Sequence, residues 1–438
     1  MKALAGLVAS LLWLPVPAFA AGAAVEAEAG SLTAPAAAGS DSAASGGRYV
    51  AFGAAGAFTA GIWISRDEIL ANPIAGQAGC LSGTLCYDAW NSIVSNANSN
   101  WGTADIDTYD LPHPKDVLAA AIASVRLAGE PGMAAQAAAF RAKAIQGLMD
   151  VMGTEQDSVP NPDGSGGKDN GSLATERNLP MYVIASDILG LYPDGDPASA
   201  GTKWGNYVLY MSTVTLTFRV GDGGNSFKDD PICASNGCQM AGGSRVSCAV
   251  YLKDRASLDG AWLQYRRYMG DLTVGNALRF TSYSDTWVHD LNARMGINPV
   301  GATCNGSSYP ADGVIPNDQG RGGTCPGDPN TEPGYTAYPW EGMQGSFLTA
   351  VVLKRQGYRD SSGRDPFHVG DDALLRAAKY QWYLQGKFTA GNAWYDDVRA
   401  AWVKHLLNVI YGYKPRSYRA AGGGRNMDYT QWTHQSWQ

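Results

Sequence analysis

Aromatic side chains are concentrated in the loop-like segments and at the helix starts of this sequence. The set comprises Trp90, Trp101, Tyr109, Trp287, Tyr309, Tyr335, Tyr338, Trp340, Tyr429, Trp432 and Trp437. Flat rings stack on sugar rings as readily as they fill protein cores. Core packing explains any one of these rings better than ligand contact does. Together, in a chain with an export signal and long loops, they favour a carbohydrate ligand.

Several other kinds of chemistry lack their motifs. The chain has no C-x-x-C or H-x-x-x-H pair, so a zinc site is not expected. The acidic stretches 163–169 and 222–230 do not have the spacing of a calcium-binding loop. A G-x-S-x-G nucleophile motif, a P-loop and a dinucleotide fingerprint are also missing from the sequence. We therefore expect neither a metal nor a cofactor.

The start of the chain has the pattern of an export signal. Lys2 precedes an apolar stretch, and Ala18-Phe19-Ala20 has the small-x-small spacing of a cleavage site. We expect a signal peptide over 1–20, an Ala/Gly/Ser-rich linker over 21–47 and one domain over 48–438. No later segment has the roughly 20 apolar residues that a membrane span needs. The predicted location is secreted or periplasmic.

The seven cysteines fit an oxidising compartment. Six of them lie in close pairs across loops, and the seventh, Cys248, lies in a predicted helix. We expect three local disulfides, Cys80–Cys86, Cys233–Cys238 and Cys304–Cys325, and a free Cys248.

The charge of the chain argues against nucleic acid as a partner. It has 33 basic and 40 acidic residues, for a formal net charge of −7, whereas nucleic-acid binding proteins are typically basic. An acidic protein can still hold an anionic substrate in a local basic cleft. We expect a monomer with no membrane contact once the signal is removed.

Apolar residues recur at helical spacing through most of the chain. The spacing predicts helices around 117–125, 258–269, 340–352 and 394–409, and further helices at 134–152, 178–192, 244–253, 371–385 and 208–220. Long loops rich in Gly, Pro, Asn and Asp are predicted at 157–175, 221–243 and 296–339, and binding residues commonly lie in such loops. The predicted fold class is all-α, with paired helices wound into an (α/α) toroid.

Three segments carry a resemblance to a known family. They are Asn236-Gly237-Cys238 ahead of the helix end 249–254, Asp312-Gly313-Val314-Ile315-Pro316 with Arg321-Gly322, and Tyr335-Thr336-Ala337-Tyr338 ahead of Trp340. Their succession resembles the alginate-lyase family of α/α-toroid polysaccharide lyases. Its members have Asn-Asn-His before A-L-Y-L-G-D, D-G-x-L-P with R-G, and Y-H-x-Y before a helix. The segments 63–66, 425–427 and 432–434 are also similar, and the resemblance covers about 60–438.

The resemblance implies β-elimination on a uronate-containing polysaccharide, with alginate as the substrate and a glucuronan-type polymer as its competitor. A uronate lyase removes the proton on C5 and expels the oxygen on C4, and this carbon acid is too weak unless the neighbouring carboxylate is neutralised. By the resemblance, Asn236 neutralises the carboxylate and Arg321 is its basic partner. Tyr338 then transfers the proton, and Tyr335 lines the same cleft.

The sequence departs from the family pattern at Gly237, where the family has His. We take His289 as the candidate for the missing imidazole, and a structural role for it is equally open. Further candidates for substrate binding are Trp340, Arg245, Arg177, Asn178 and His434.

Two alternatives to a lyase stay open. A glycoside hydrolase on the same kind of toroid needs two carboxylates that flank the bond, and Glu341 with Asp285 or Asp318 is a candidate pair. A non-catalytic sugar-binding protein needs aromatic rings and donors but no residue that transfers a proton.

Overall fold

The computed structural model describes residues 36–40, 48–52, 58–155, 169–213, 233–274, 278, 285–334, 336–388, 400–414 and 424–435. The chain divides into two compact units, Met1–Ala57 and Phe58–Gln438. In the first unit, β1 (Ala36–Ser40) pairs antiparallel with β2 (Arg48–Phe52). β1 lies within the predicted linker, and the predicted signal peptide lies outside the described residues.

The second unit is all-α in its described part, which confirms the all-α part of the prediction. Its helices are α1 (Arg66–Ala71), α2 (Leu85–Asn98), α3 (His113–Ala128), α4 (Ala134–Val151), α5 (Asp169–Leu189), α6 (Ala200–Thr213), α7 (Asn236–Leu252), α8 (Arg255–Tyr268), α9 (Pro316–Gly320), α10 (Tyr338–Arg355), α11 (Val369–Lys387), α12 (Ala401–Tyr411) and α13 (Thr430–Thr433). No helix in the described ranges is both long and apolar enough to cross a membrane.

Helices α7 and α10 run in the same direction and nearly touch. Gly345 of α10 lies against Gln239 of α7, and Gly243 of α7 lies against Leu348 of α10. A methyl group on Gly243 would come within 2.8 Å of the Leu348 side chain. Glycine is therefore required where the two backbones approach each other.

Helix α5 runs parallel to α7. His113, the first residue of α3, hydrogen-bonds the Tyr182 hydroxyl in the second half of α5 at 2.8 Å. The Ser244 hydroxyl of α7 donates to the carbonyl of Glu176 in α5 at 2.7 Å, and Tyr251 donates to the carbonyl of Leu191 just beyond α5 at 2.5 Å. The N-terminal ends of α5, α7 and α10 thus lie at one end of the unit.

The helices that follow α3 and α7 return in the opposite direction. Gly147, late in α4, packs on Val117, early in α3. Gly260 of α8 faces Arg245 of α7. Tyr268, the last residue of α8, reaches back to Gly342 at the start of α10. Chain segments therefore return to the end of the unit where the parallel helices begin.

Three helices begin inside segments that the sequence predicts to be loops. α5 begins at Asp169 inside the predicted loop 157–175, α7 begins at Asn236 inside 221–243, and α10 begins at Tyr338 inside 296–339. The short helix α9 also lies within that last loop. The glycines near the start of α7 predict a loop, but they serve close packing on α10 instead. The other predicted helices are present, apart from residues 214–220 and 394–399, which lie outside the described residues.

The three expected disulfides, Cys80–Cys86, Cys233–Cys238 and Cys304–Cys325, are present. Cys248 is a buried free thiol on α7, as predicted. The second of these bridges closes on the first turn of α7, where the hydroxyl of the N-cap residue Ser235 accepts from the Cys238 amide at 3.4 Å. Capping and the bridge together fix the start of α7.

Candidate active site

Arg321 joins two of the residues that the sequence singles out. Its Nη1 donates to the side-chain oxygen of Asn236 at 2.7 Å, and its guanidinium lies 4.0 Å from the centre of the Tyr338 ring. The three residues come from the end of α9, the start of α7 and the start of α10. Arg321 is exposed and 38% of Tyr338 is exposed, whereas Asn236 is buried. The cluster therefore extends from the interior to the surface.

The contact with Arg321 fixes the orientation of the Asn236 amide. Because Oδ1 accepts from a guanidinium, the Nδ2 group must point away from it. Among the residues that the structure describes, none accepts a hydrogen bond from this buried Nδ2. An unsatisfied buried donor is costly unless a ligand or water completes it. The amide is thus oriented to donate.

Asp318 binds the backbone of Asn236. Its Oδ1 accepts from the backbone N–H of Asn236 at 2.9 Å, and the carboxylate is completely buried. Burial raises the pKa of the Asp318 carboxyl to about 7, and the charge of Glu341 raises it as well. The Arg321 charge and the hydrogen bonds from Asn236 and Asn317 oppose this rise.

The start of α10 packs tightly over this carboxylate. A methyl group on Gly342 would lie 3.0 Å from Asp318 Oδ2, 3.2 Å from the Tyr268 hydroxyl and 3.4 Å from the Asn236 Cα atom. Within the described ranges, Asp318 Oδ2 and the Tyr268 hydroxyl have no hydrogen-bond partner. Burial and the Asp318 charge raise the pKa of Tyr268 well above its usual value. Tyr268 therefore stays a neutral phenol beside the carboxylate.

Glu341 forms a second buried group at the same end of the unit. Arg177 Nε donates to its Oε1 at 2.6 Å, Arg177 Nη2 also pairs with Oε1, and Arg425 Nη1 lies 2.5 Å from its Oε2. The Arg177 guanidinium in turn lies 4.5 Å from the ring centre of Tyr109. Two arginines on one buried carboxylate leave a net positive charge.

Asn178 orders the loop that carries Tyr109. Its side-chain amide donates to the carbonyls of Ile106 at 2.9 Å and Thr108 at 3.0 Å. The role of Asn178 in the structure is therefore to position this loop, one residue from the Arg177–Glu341 pair.

Trp340 and His434 lie in the core. Trp340 is fully buried, with its ring centre 5.1 Å from that of Trp382. His434 packs on Trp63 at 4.5 Å and hydrogen-bonds the Thr433 hydroxyl at 2.8 Å. Burial lowers the pKa of His434 well below its usual value, so it is a neutral packed side chain. Neither residue lies where a sugar would reach it without rearrangement of the core.

Arg245 and His289 lie apart from the cluster, and Tyr335 lies outside the described residues. Arg245 faces Gly260 of α8, nine residues along α7 from Asn236, which corresponds to about 13 Å. His289 is exposed, with its Nδ1 3.2 Å from the carbonyl of Thr303. The part of the chain that the structure describes shows no contact between His289 and Asn236, Arg321 or Tyr338.

The roles of Asp318, Tyr268 and Glu341 in this arrangement do not follow from the sequence. Asp318 and Glu341 entered only as carboxylates of the alternative hydrolase, and Tyr268 as part of an apolar helix face. One signal was available, because Asp318 lies three residues before Arg321 and that spacing places both on one side of a helical turn. In the described residues, no group of three or more His, Cys, Asp and Glu side chains is arranged to hold a metal ion.

No protein-family model matches the sequence, and no curated protein matches it.

Proposed function

We propose that the protein is a polysaccharide lyase that cleaves a uronate-containing polymer by β-elimination, leaving a 4,5-unsaturated uronate at the new chain end. The observation that carries the proposal is the contact of Arg321 with both Asn236 and Tyr338. It combines a cation, an oriented amide donor and an exposed phenol, and these are the groups that elimination next to a carboxylate requires.

Each residue has a defined task in the proposed reaction. The guanidinium of Arg321 has five N–H donors, one of which is used on Asn236, and it binds the C5 carboxylate of the sugar. The Nδ2 group of Asn236 donates to the same carboxylate. Together they stabilise the negative charge that develops as the C5 proton leaves.

Tyr338 moves the proton. As a phenolate it takes the C5 proton, the C–H electron pair forms the C4–C5 double bond, and the C4–O bond breaks. The departing oxygen then receives a proton, which the phenol now formed on Tyr338 can return. The balance needs no oxidant and no added nucleophile.

The surrounding fold supports an anionic substrate. α7 begins at Asn236 and α10 begins at Tyr338, so the positive ends of two helix dipoles lie at the cluster. The Arg177–Glu341–Arg425 group adds a net positive charge nearby. Parallel helices, with antiparallel helices after α3 and α7, are the arrangement expected of an (α/α) toroid, which we propose as the architecture.

No histidine takes part in the proposed reaction, although the alginate-lyase family has one at the position of Gly237. Gly237 is buried in the first turn of α7, and His289 contacts Thr303 instead of the cluster. We therefore assign proton transfer to Tyr338 and do not assign a catalytic role to His289.

A glycoside hydrolase is the less favoured reading. Two of its candidate carboxylates, Asp318 and Glu341, are buried and already engaged by protein groups. The third, Asp285, is paired with Arg294 at 3.2 Å. A purely sugar-binding protein would not need the phenol of Tyr338 next to a guanidinium. Alginate, or a glucuronan-type polymer, is the proposed substrate. The three disulfides fit the proposed export to the periplasm or medium.

The products of cleavage test the reaction class. Mature protein from Ala21 onward is incubated with mannuronate-rich alginate, guluronate-rich alginate and glucuronan. Ultraviolet absorbance of the conjugated double bond and release of reducing ends are measured in parallel. A lyase raises both signals together on at least one polymer. Release of reducing ends without a rise in absorbance would show hydrolysis in place of elimination. The absence of both signals would contradict cleavage of these polymers.

A further inference from the structure

Helix α9 contacts Asn236 in two different ways. Asp318, inside α9, accepts from the backbone N–H of Asn236, and Arg321, at the C-terminal end of α9, donates to its side chain. The backbone N–H groups in the first turn of a helix have no partner within that helix. Asn236 is the first residue of α7, so Asp318 supplies the partner that its N–H lacks.

The carboxylate is enclosed by groups from several segments. Arg321 and Asn317 approach it from its own segment, Asn236 from α7, Tyr268 from α8, and Glu341 and Gly342 from α10. Arg321 and Glu341 carry opposite charges, and Tyr268 is neutral. Among the described residues, the Asn236 N–H at 2.9 Å is the shortest hydrogen bond to Asp318.

We propose that Asp318 is a positioning residue for the lyase reaction: its ionised carboxylate caps the start of α7 and keeps the Asn236 amide and the Arg321 guanidinium in register for the substrate carboxylate. The inference rests on the proposed function. Asp318 touches no substrate and acts through Asn236 and Arg321.

Protonation of Asp318 removes the charge that holds this arrangement. A neutral carboxyl is a weaker acceptor for the Asn236 N–H, and it no longer attracts Arg321. Because burial raises the pKa of this carboxyl to about 7, we expect turnover to fall as the pH drops below about 7 and to level off about 10- to 100-fold lower, where the carboxyl is neutral.

The variant Asp318→Asn removes the titration but keeps an oxygen acceptor. We expect its kcat at pH 8 to fall by about 10- to 100-fold with little change in KM, and its pH profile to lose the acid limb of the wild-type enzyme. Asp312→Asn is the matched control, because Asp312 pairs with Arg376 away from the cluster. A purely structural role would lower the yield of folded protein and leave the shape of the pH profile unchanged, and that result would overturn the proposal.

Two measurements do not depend on activity. Asp318→Ala should speed amide hydrogen exchange in the first turn of α7, whereas Asp312→Ala should not. Asp318 is more protonated in the folded than in the unfolded chain, so wild-type stability falls as pH rises from about 4 to about 7. The Tm of Asp318→Asn minus that of wild type should therefore increase between pH 5 and pH 8.

These results separate the two proposals. If no polymer is cleaved but exchange and Tm behave as expected, the lyase proposal fails and the capping role stands. If a polymer is cleaved but exchange in α7 is unchanged in Asp318→Ala, the positioning role fails and the lyase stands.

Discussion

The two ends of α10 differ in whether the polar side chains around them have hydrogen-bond partners. At the C-terminal end, the guanidinium of Arg355 donates to the carbonyls of Gly61 and Ala60 and to both carboxylate oxygens of Glu68, at 2.7–3.1 Å. Glu68 also accepts from the Ser65 N–H at 2.6 Å in a capping box. Each nitrogen of this guanidinium is engaged by protein.

The N-terminal end of α10 is different. There the Asn236 Nδ2 group, the Asp318 Oδ2 atom and the Tyr268 hydroxyl are buried without a partner in the described part of the chain. An ion pair whose hydrogen-bonding groups are all satisfied contributes to stability and has no donor or acceptor left for a ligand. A buried polar cluster with unsatisfied groups lowers stability and can bind a ligand through those groups. From this difference we propose that the C-terminal end of α10 is structural and that the N-terminal end belongs to the proposed active site.

Substitution of Arg321 should have the largest effect that follows from this comparison. Arg321→Ala removes the cation and the constraint on the Asn236 amide, and we expect kcat/KM for polymer cleavage to fall by about 100- to 1000-fold. Arg321→Lys keeps the charge but loses the planar fork that holds both a carboxylate and Asn236, so it should recover little of this activity.

Initial rates from ultraviolet absorbance measure these losses. Arg66→Lys, an exposed change on α1, is the control and should leave the rate unchanged. Full activity of Arg321→Ala would show that the N-terminal end of α10 is not the active site.

A methyl group on Gly342 should have an intermediate effect. Gly342→Ala forces Asp318 and Tyr268 to move by a few tenths of an ångström, and we expect overpacking to cost about 1–3 kcal/mol of unfolding free energy, with a loss of turnover. Gly386→Ala, in the last turn of α11 with open space around it, should instead stabilise by about 0.5–1 kcal/mol. Urea unfolding measures both, and equal effects at the two glycines would contradict the tight packing.

The smallest effect is expected for the stability that Glu68 contributes at the C-terminal end of α10. Burial alone would raise the pKa of Glu68, but hydrogen bonds from Arg355 and Ser65 and the Arg355 charge lower it to about 2. A depressed pKa gives stability that is present above the unfolded value of about 4.3 and is lost as pH falls toward 2. Because 44% of the Glu68 side chain is exposed, the contribution at neutral pH is about 1 kcal/mol or less.

Glu68→Gln tests this expectation by thermal unfolding at several pH values. The difference in stability from wild type should be full above pH 5 and shrink at lower pH, while polymer cleavage stays unchanged. A loss of cleavage in Glu68→Gln would contradict the division between the two ends.

Local sequence signals predicted much of the scaffold. The helices α3, α4, α8 and α11 follow from apolar spacing, and close cysteine pairs led directly to the three disulfides. These features depend on residues that are near each other in the sequence, so periodicity and spacing contain the information.

The arrangement of the site depends on contacts between distant segments. Asp318 and Asn236 are 82 positions apart in the sequence, and no local pattern shows that a carboxylate caps a helix so far away. The sequence predicts too late a start for α7 for a related reason. Its glycines locally favour a loop, and only the packing of the distant helix α10 against them explains why they lie in a helix. His434 and Trp340 differ from the expectation in another way. The sequence predicts that they bind substrate, because they lie in or next to the segments that resemble the family, but both are packed in the core.

Tyr338 provides the most direct test of the account. Tyr338→Phe removes only the hydroxyl and keeps the ring next to Arg321, and Tyr383→Phe on α11, equally exposed at 38%, is its matched control. On the polymer that wild type cleaves, we expect the ultraviolet signal of Tyr338→Phe to fall by at least about 100-fold, with polymer binding retained and Tyr383→Phe unchanged. Undiminished cleavage by Tyr338→Phe would contradict the assignment of proton transfer to this residue.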